Sequence, residues 1–125
     1  MSARKLVLAV VVVALVGAFA LASLAVARGR ADSKVTIHGD NGDFQGRVLS
    51  ERQSCLGGRK VVVYKQKGNV QKPGDDKKIG SDLTERHGDH GDWSIGNSGF
   101  RNGDFYAHVT RTDACKGDFS RTISI

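Results

Sequence analysis

The chain has 125 residues, with nineteen Lys and Arg against thirteen Asp and Glu, sixteen glycines, one proline and two cysteines. That length holds one domain, and the net charge of +6 is dispersed along the chain, unlike the clustered basic stripe of a nucleic-acid module. There is no Gly-x-Ser-x-Gly elbow and no glycine loop opening a helix, so the commonest hydrolase and phosphate-binding signatures are missing.

Residues 1–27 have the pattern of an export signal. Arg4 and Lys5 precede an apolar run, residues 6–26, in which Ser23 is the only clearly polar side chain, and Ala25-Val-Ala27 places small residues at a cleavage point. The expectation is a helical signal removed near Ala27. Because a membrane span needs about 20 apolar residues, the alternative is an uncleaved anchor tethering the domain through residues 6–26. Either reading puts the rest of the chain outside the cytoplasm, extracellular or at the cell surface, since the positive cluster stays inside. Setting aside Arg4 and Lys5 leaves seventeen basic residues against thirteen acidic ones, a moderate excess of about +4.

Residues 28–33 read as a polar linker, and residues 34–125 as the folded domain. Lys34-Val-Thr-Ile37 alternates as a first strand. His38-Gly-Asp-Asn-Gly-Asp43 is rich in turn formers, and Phe44 to Leu49 is a second strand whose Gly46 marks a close packing contact. Cys55 and Gly57-Gly58 lead into Arg59 to Lys67, the most strand-like stretch in the chain. Gly68 to Lys78 reads as a polar hairpin tip carrying Pro73 and several lysines, with Ile79 in a short fourth strand. Lysines here read as guards of a sheet edge, with anionic wall polymers, phospholipid headgroups or nucleic acid as the alternative partners. Ser81 to Asp92 reads as a polar connection, Trp93 to Ile95 as a fifth strand, Phe105 to Thr110 as a sixth and Phe119 to Ile125 as a seventh. Gly-Asp-aromatic recurs at Phe44, Trp93, Phe105 and Phe119, a turn handing over to a ring that opens a strand.

Outside the signal no window has helical periodicity, so the class is all-β: a seven-stranded antiparallel Greek-key sandwich. The expected core is Val35, Ile37, Phe44, Val48, Val61, Val63, Ile79, Trp93, Ile95, Phe105, Ala107, Val109, Ile123 and Ile125. Two cysteines in an exported domain of about this size read as one disulfide, Cys55 to Cys115.

The ordered set Phe44-x-Gly-x-Val48, Cys55, Arg59-x-Val-x-Val-Tyr64, Ile79-Gly-Ser-Asp82, Gly91-x-Trp-Ser-Ile95, Gly103-x-Phe-Tyr-Ala107 and Cys115 resembles the exported carboxypeptidase-regulatory-like, or transthyretin-like, modules of bacteria. The resemblance covers about residues 35–125. It implies a seven-stranded Greek-key sandwich that is accessory, structural or adhesive and without catalytic activity; the expected role is structural, adhesive or ligand-binding, by surface contact with an extracellular or cell-wall partner. The Glu85 to Asp92 connection departs from it in length and in histidine content.

That connection holds the best candidate for chemistry. His87, Asp89, His90 and Asp92 crowd one short stretch, and imidazole with carboxylate suits zinc, copper or nickel. Their spacing matches no established metal motif, so the expectation is a solvated turn with no cofactor, and metal binding, with help from His38 or His108, is the alternative. His38 to Asp43 lacks the length and closing glutamate of a calcium loop. Enzymes on related scaffolds fit less well. Hydroxyisourate hydrolases carry a Tyr-Arg-Gly-Ser tail where this chain reads Arg121-Thr-Ile-Ser-Ile125, and intradiol dioxygenases pair two tyrosines with a His-x-His that is missing beside Tyr64 and Tyr106.

Overall fold

The computed structural model describes residues 29–125. The expected signal or anchor helix, residues 1–27, lies outside the described residues. Among those described, no helix is long and apolar enough to cross a membrane.

Period-two alternation produces two antiparallel sheets, as the sequence predicts. The first comprises β1 (Lys34–Val35), β2 (His38–Asp40), β3 (Asp43–Leu49), β6 (Glu85–His87) and β7 (His90–Ile95), in the order β1-β3-β7-β6 with β2 also on β3. The second comprises β4 (Lys60–Lys65), β5 (Lys77–Leu83), β8 (Asp104–Val109), β9 (Asp118–Phe119) and β10 (Ile123–Ser124), in the order β10-β8-β4-β5 with β9 also on β8.

Among the described residues the strands number ten where the sequence predicts seven, and hydroxyl side chains mark each break. Between β1 and β2, Thr36 Oγ1 accepts the Arg47 N–H at 2.9 Å in place of a backbone carbonyl. The Thr36 carbonyl turns instead into the space where a Cβ on Gly46 would lie, 1.9 Å from its oxygen, which is the close approach expected of that glycine. Between β9 and β10, Ser120 Oγ accepts the Ala107 N–H at 2.8 Å. Between β5 and β6 the chain passes from one sheet to the other at Thr84, which is buried. Its Oγ1 donates to the Leu56 carbonyl at 2.7 Å and accepts the Arg59 N–H at 2.9 Å.

The inner faces enclose Val35, Ile37, Phe44, Val48, Val61, Val63, Trp93, Phe105, Ala107 and Val109, with Ile79, Ile95, Phe100 and Ile123 at the margin. Ile125 is a correction to the expected core: it is 36% exposed, because it makes the last backbone pair with Gly103 at the end of the sheet. Burial of the apolar faces supplies the main favourable term, at roughly 25 cal/mol per Å² of apolar surface.

A second, smaller cluster was not legible from alternation. Val62, Tyr64 and Tyr106 point away from the main core yet are buried; on that outer face residues 66–76 fold back onto Tyr106, Ser120 and Thr122 through Asp76 and Gln71, and Phe119 packs on Tyr106 from β9. Asp76 pins that cover: its carboxylate accepts N–H bonds from Lys67 at 2.9 Å and Lys72 at 2.8 Å, and the Tyr106 hydroxyl at 2.6 Å. Tyr64 and Tyr106 stack with ring centroids 5.2 Å apart.

These contacts shift both acids in opposite directions. The Tyr106 hydroxyl, followed by the Lys67 N–H, holds the Asp76 carboxyl below its ordinary value. Burial, followed by Asp76, pushes the Tyr106 phenol up. The Asp76 contribution is therefore complete above the unfolded carboxyl value of about 3.9 and is lost as pH falls through its lower folded value. The Tyr106 contribution is complete below the unfolded phenol value of about 10 and is lost as pH rises towards its higher folded value. Tyr106→Phe should cost about 1–2 kcal/mol at neutral pH and flatten both limbs of the stability curve. Urea midpoints at acid, neutral and alkaline pH would check this, and unchanged limbs in the variant would refute it.

Candidate functional site

The expected polar connection Ser81 to Asp92 is a correction as well: most of it is strand. Gly88 and Asp89 alone link β6 to β7, and Gly88 takes φ +63° at the first central position, as in a type II′ hairpin turn. The histidine stretch is thus a tight hairpin, and β7 is in turn paired along its length to β3.

Register then places the polar side chains. In the antiparallel pairing Glu85 lies opposite Asp92, and His87 opposite His90. Directly opposed residues share a face, as do residues two apart on one strand, so the four occupy the corners of a cross-strand square on the outer face of the first sheet. Arg47, opposite Asp92 on β3, borders it.

Within the square both imidazoles approach one carboxylate. His90 Nε2 lies 3.3 Å from Asp92 Oδ1, and His87 Nε2 lies 3.9 Å from Asp92 Oδ2 and 4.0 Å from Glu85 Oε2. On its other side His90 Nδ1 is 3.0 Å from Asp89 Oδ1. That contact with His90, followed by the Asp89 backbone N–H, holds the Asp89 carboxyl below its ordinary value. Arg47 Nε approaches Asp92 Oδ1 at 3.8 Å. The His90 side chain is only 18% exposed, whereas those of His87 and Glu85 are 57% and 83% exposed, so one imidazole is enclosed and its partners stand in solvent.

Beside the square runs an open groove of about 640 Å³, bordered by His38, Gln45, Arg47, Asp82, Glu85 and Asp92. Asp82 is engaged in its wall, where its carboxylate accepts the Ser94 N–H at 2.9 Å. Among the described residues no three His, Cys, Asp or Glu side chains are arranged to hold an ion as they stand.

Of the candidates read from sequence, His87, Asp89, His90 and Asp92 come together, and Glu85 joins them. Its role was missed because Ser81 to Asp92 reads as a loop; the alternation Glu85, His87 and His90, Asp92 around Gly88-Asp89 is the signal that finds it. His38 does not join: it faces Gln45 on the opposite edge strand, whereas His90 faces Leu49. His108 lies on the second sheet, stacked on Phe119 with centroids 4.0 Å apart, and burial lowers its pKa. Asn41 and Gly42, at φ +50° and +91°, close the β2–β3 hairpin in the manner of a type I′ turn, which accounts for the Asx-rich stretch from His38 to Asp43. The Tyr106 hydroxyl is taken up by Asp76.

The expected disulfide is present. Cys55 and Cys115 are bonded across a separation of 60 residues. The expected linker is tied to that bridge: the Ala31 N–H donates to the Ala114 carbonyl and the Lys116 N–H to the Ala31 carbonyl, at 2.9 and 2.8 Å. No family model, curated protein or solved structure matches the chain.

Proposed function

We propose that the chain is an exported β-sandwich module of the carboxypeptidase-regulatory-like, transthyretin-like type, with no catalytic activity, acting by surface contact with an extracellular or cell-wall partner. The observation that carries this reading is the Cys55–Cys115 bridge in a chain whose first 27 residues have the pattern of an export signal, because disulfides persist in oxidising compartments. The engagement of the buried polar side chains supports a structural assignment: Arg59, Thr84 and Ser120 bond to backbone carbonyls, and Asp76 to backbone N–H groups. In this reading the ten strands correspond to seven Greek-key strands, two of them broken at an edge and one shared between sheets.

The reading is tested by intact mass of the protein from the outer fraction of its producing cells, with thiols alkylated before and after reduction. The expected species begins at Arg28 and is alkylated only after reduction. Recovery of the whole chain in the membrane fraction, still bridged, selects the uncleaved anchor. Recovery in the cytoplasm with both thiols free overturns the reading. Surface contact is tested with the same material, which should bind washed cell envelopes saturably.

A further inference from the structure

We propose that the β6–β7 hairpin is a divalent transition-metal site of the zinc or copper(II) class, with His87, His90 and Asp92 as ligands, Glu85 completing the set and Asp89 as a positioning residue. The first support is the cross-strand square itself. Glu85 opposite Asp92 and His87 opposite His90 place two imidazoles and two carboxylates on one face, a borderline nitrogen and oxygen donor set suited to those metals.

The second support is a conflict of lone pairs. An ionised carboxylate only accepts hydrogen bonds. Of its two carboxylate contacts, His90 makes the shorter one through Nδ1, to Asp89 at 3.0 Å, and the tautomer with the ring proton on that nitrogen leaves Nε2 free. Nε2 then presents a lone pair to Asp92 Oδ1 at 3.3 Å. His87 Nε2, at 3.9 Å from the same carboxylate, adds a third donor. With both Nε2 atoms unprotonated, the two imidazoles and Asp92 turn three donors toward one spot, a set that a metal ion bridges.

The third support is the frame. His90 is largely enclosed on a strand paired with β3, and a carboxylate on the far ring nitrogen is the usual outer partner of a metal-binding histidine, fixing the tautomer that leaves Nε2 to coordinate. His87 and Glu85 are the exposed members, and their side chains rotate to close the set around the ion. Arg47, at 3.8 Å from Asp92, opposes cation binding, so its charge tunes affinity downward.

The test is calorimetric titration of the full chain, disulfide intact and without an affinity tag, with zinc and with copper(II) salts, and electron paramagnetic resonance of the copper form. One equivalent should bind, with two imidazole nitrogens coupled to copper. His87→Ala with His90→Ala should abolish binding, and His87→Ala alone should leave one coupled nitrogen. Asp89→Ala should weaken binding about 10-fold and remove the preference of His90 for the Nδ1–H tautomer in long-range nitrogen–proton correlation spectra. Arg47→Gln should tighten it. His38→Ala and His108→Ala serve as controls and should bind as the parent does. The lysine-rich surface and distant histidines offer weak, non-stoichiometric uptake only. No uptake at millimolar metal would overturn the proposal. So would stoichiometric binding that survives the double histidine variant or disappears with His38→Ala. Circular dichroism of each variant separates lost ligands from lost fold.

Discussion

Replacing Cys55 and Cys115 together by alanine should lower the stability of the domain by about 4 kcal/mol, the chain-entropy value for a closed loop of this length. For a domain of this size that corresponds to a fall in Tm of roughly 20 °C. The bridge joins the turn before β4 to the turn after β8, two points separated by 60 residues whose approach otherwise rests on strand pairing and on the hydrogen bonds of Arg52 and Arg59. It also carries the segment before β1: Ala31 forms a parallel bridge with Cys115, and Arg52 Nη1 donates to the Ala114 carbonyl at 2.8 Å. Loss of the bridge should therefore release residues 30–33 before the sheets open. Urea unfolding with and without reductant, combined with hydrogen exchange at the Ala31 amide, measures both effects. An unmoved midpoint would show that the bridge is incidental.

The second large effect is expected at Arg59. Its side chain is 2% exposed, and among the described residues it pairs with no carboxylate. Nη1 donates to Ser33 Oγ at 2.9 Å and the Cys55 carbonyl at 3.0 Å, and Nη2 donates to the Thr110 carbonyl at 3.1 Å and the Lys116 carbonyl at 2.9 Å. Burial lowers the guanidinium pKa, and Nε has no partner, so part of the desolvation cost is uncompensated. What the residue supplies is geometry: one planar fork satisfies acceptors on the first linker, the cysteine turn and the chain on both sides of Asp113.

Arg59→Ala should cost about 3–5 kcal/mol, since it leaves buried carbonyls without donors and opens a cavity. Arg59→Lys should recover only part of this, because a single ammonium lacks the fork that reaches both sides. Chemical denaturation of the two variants checks the order, and full rescue by lysine would show that charge alone matters. Combined with loss of the disulfide, the Arg59→Ala effect should fall short of the sum, because both hold the Cys55 and Cys115 turns together.

Features that depend on local alternation and on residue chemistry are legible along the chain. Val61 and Val63, or Phe105, Ala107 and Val109, can bury one face only as strands, and the turn residues between them leave two sheets as the way to cover those faces. The cysteine pair was legible from residue chemistry too, since the two cysteines of a chain with an export-like leading segment have only each other as intramolecular partners. Gly46 announced a close approach without naming what approaches.

Features that depend on which strands become neighbours emerge only in the folded sheets. Periodicity places His87 and His90 near each other in the chain, but only the Gly88-Asp89 turn and the β6–β7 register bring Glu85 opposite Asp92 and aim both imidazoles at one carboxylate. Tyr64 and Tyr106 read as outward residues of their strands; the cover formed by residues 66–76, pinned through Asp76, makes them a second core. Arg59 reads as a charged residue at the start of a strand, where exposure is the ordinary expectation. Its burial follows from four acceptors lying 4 to 57 residues away along the chain, and such long-range hydrogen-bond partners leave no periodic trace in the sequence.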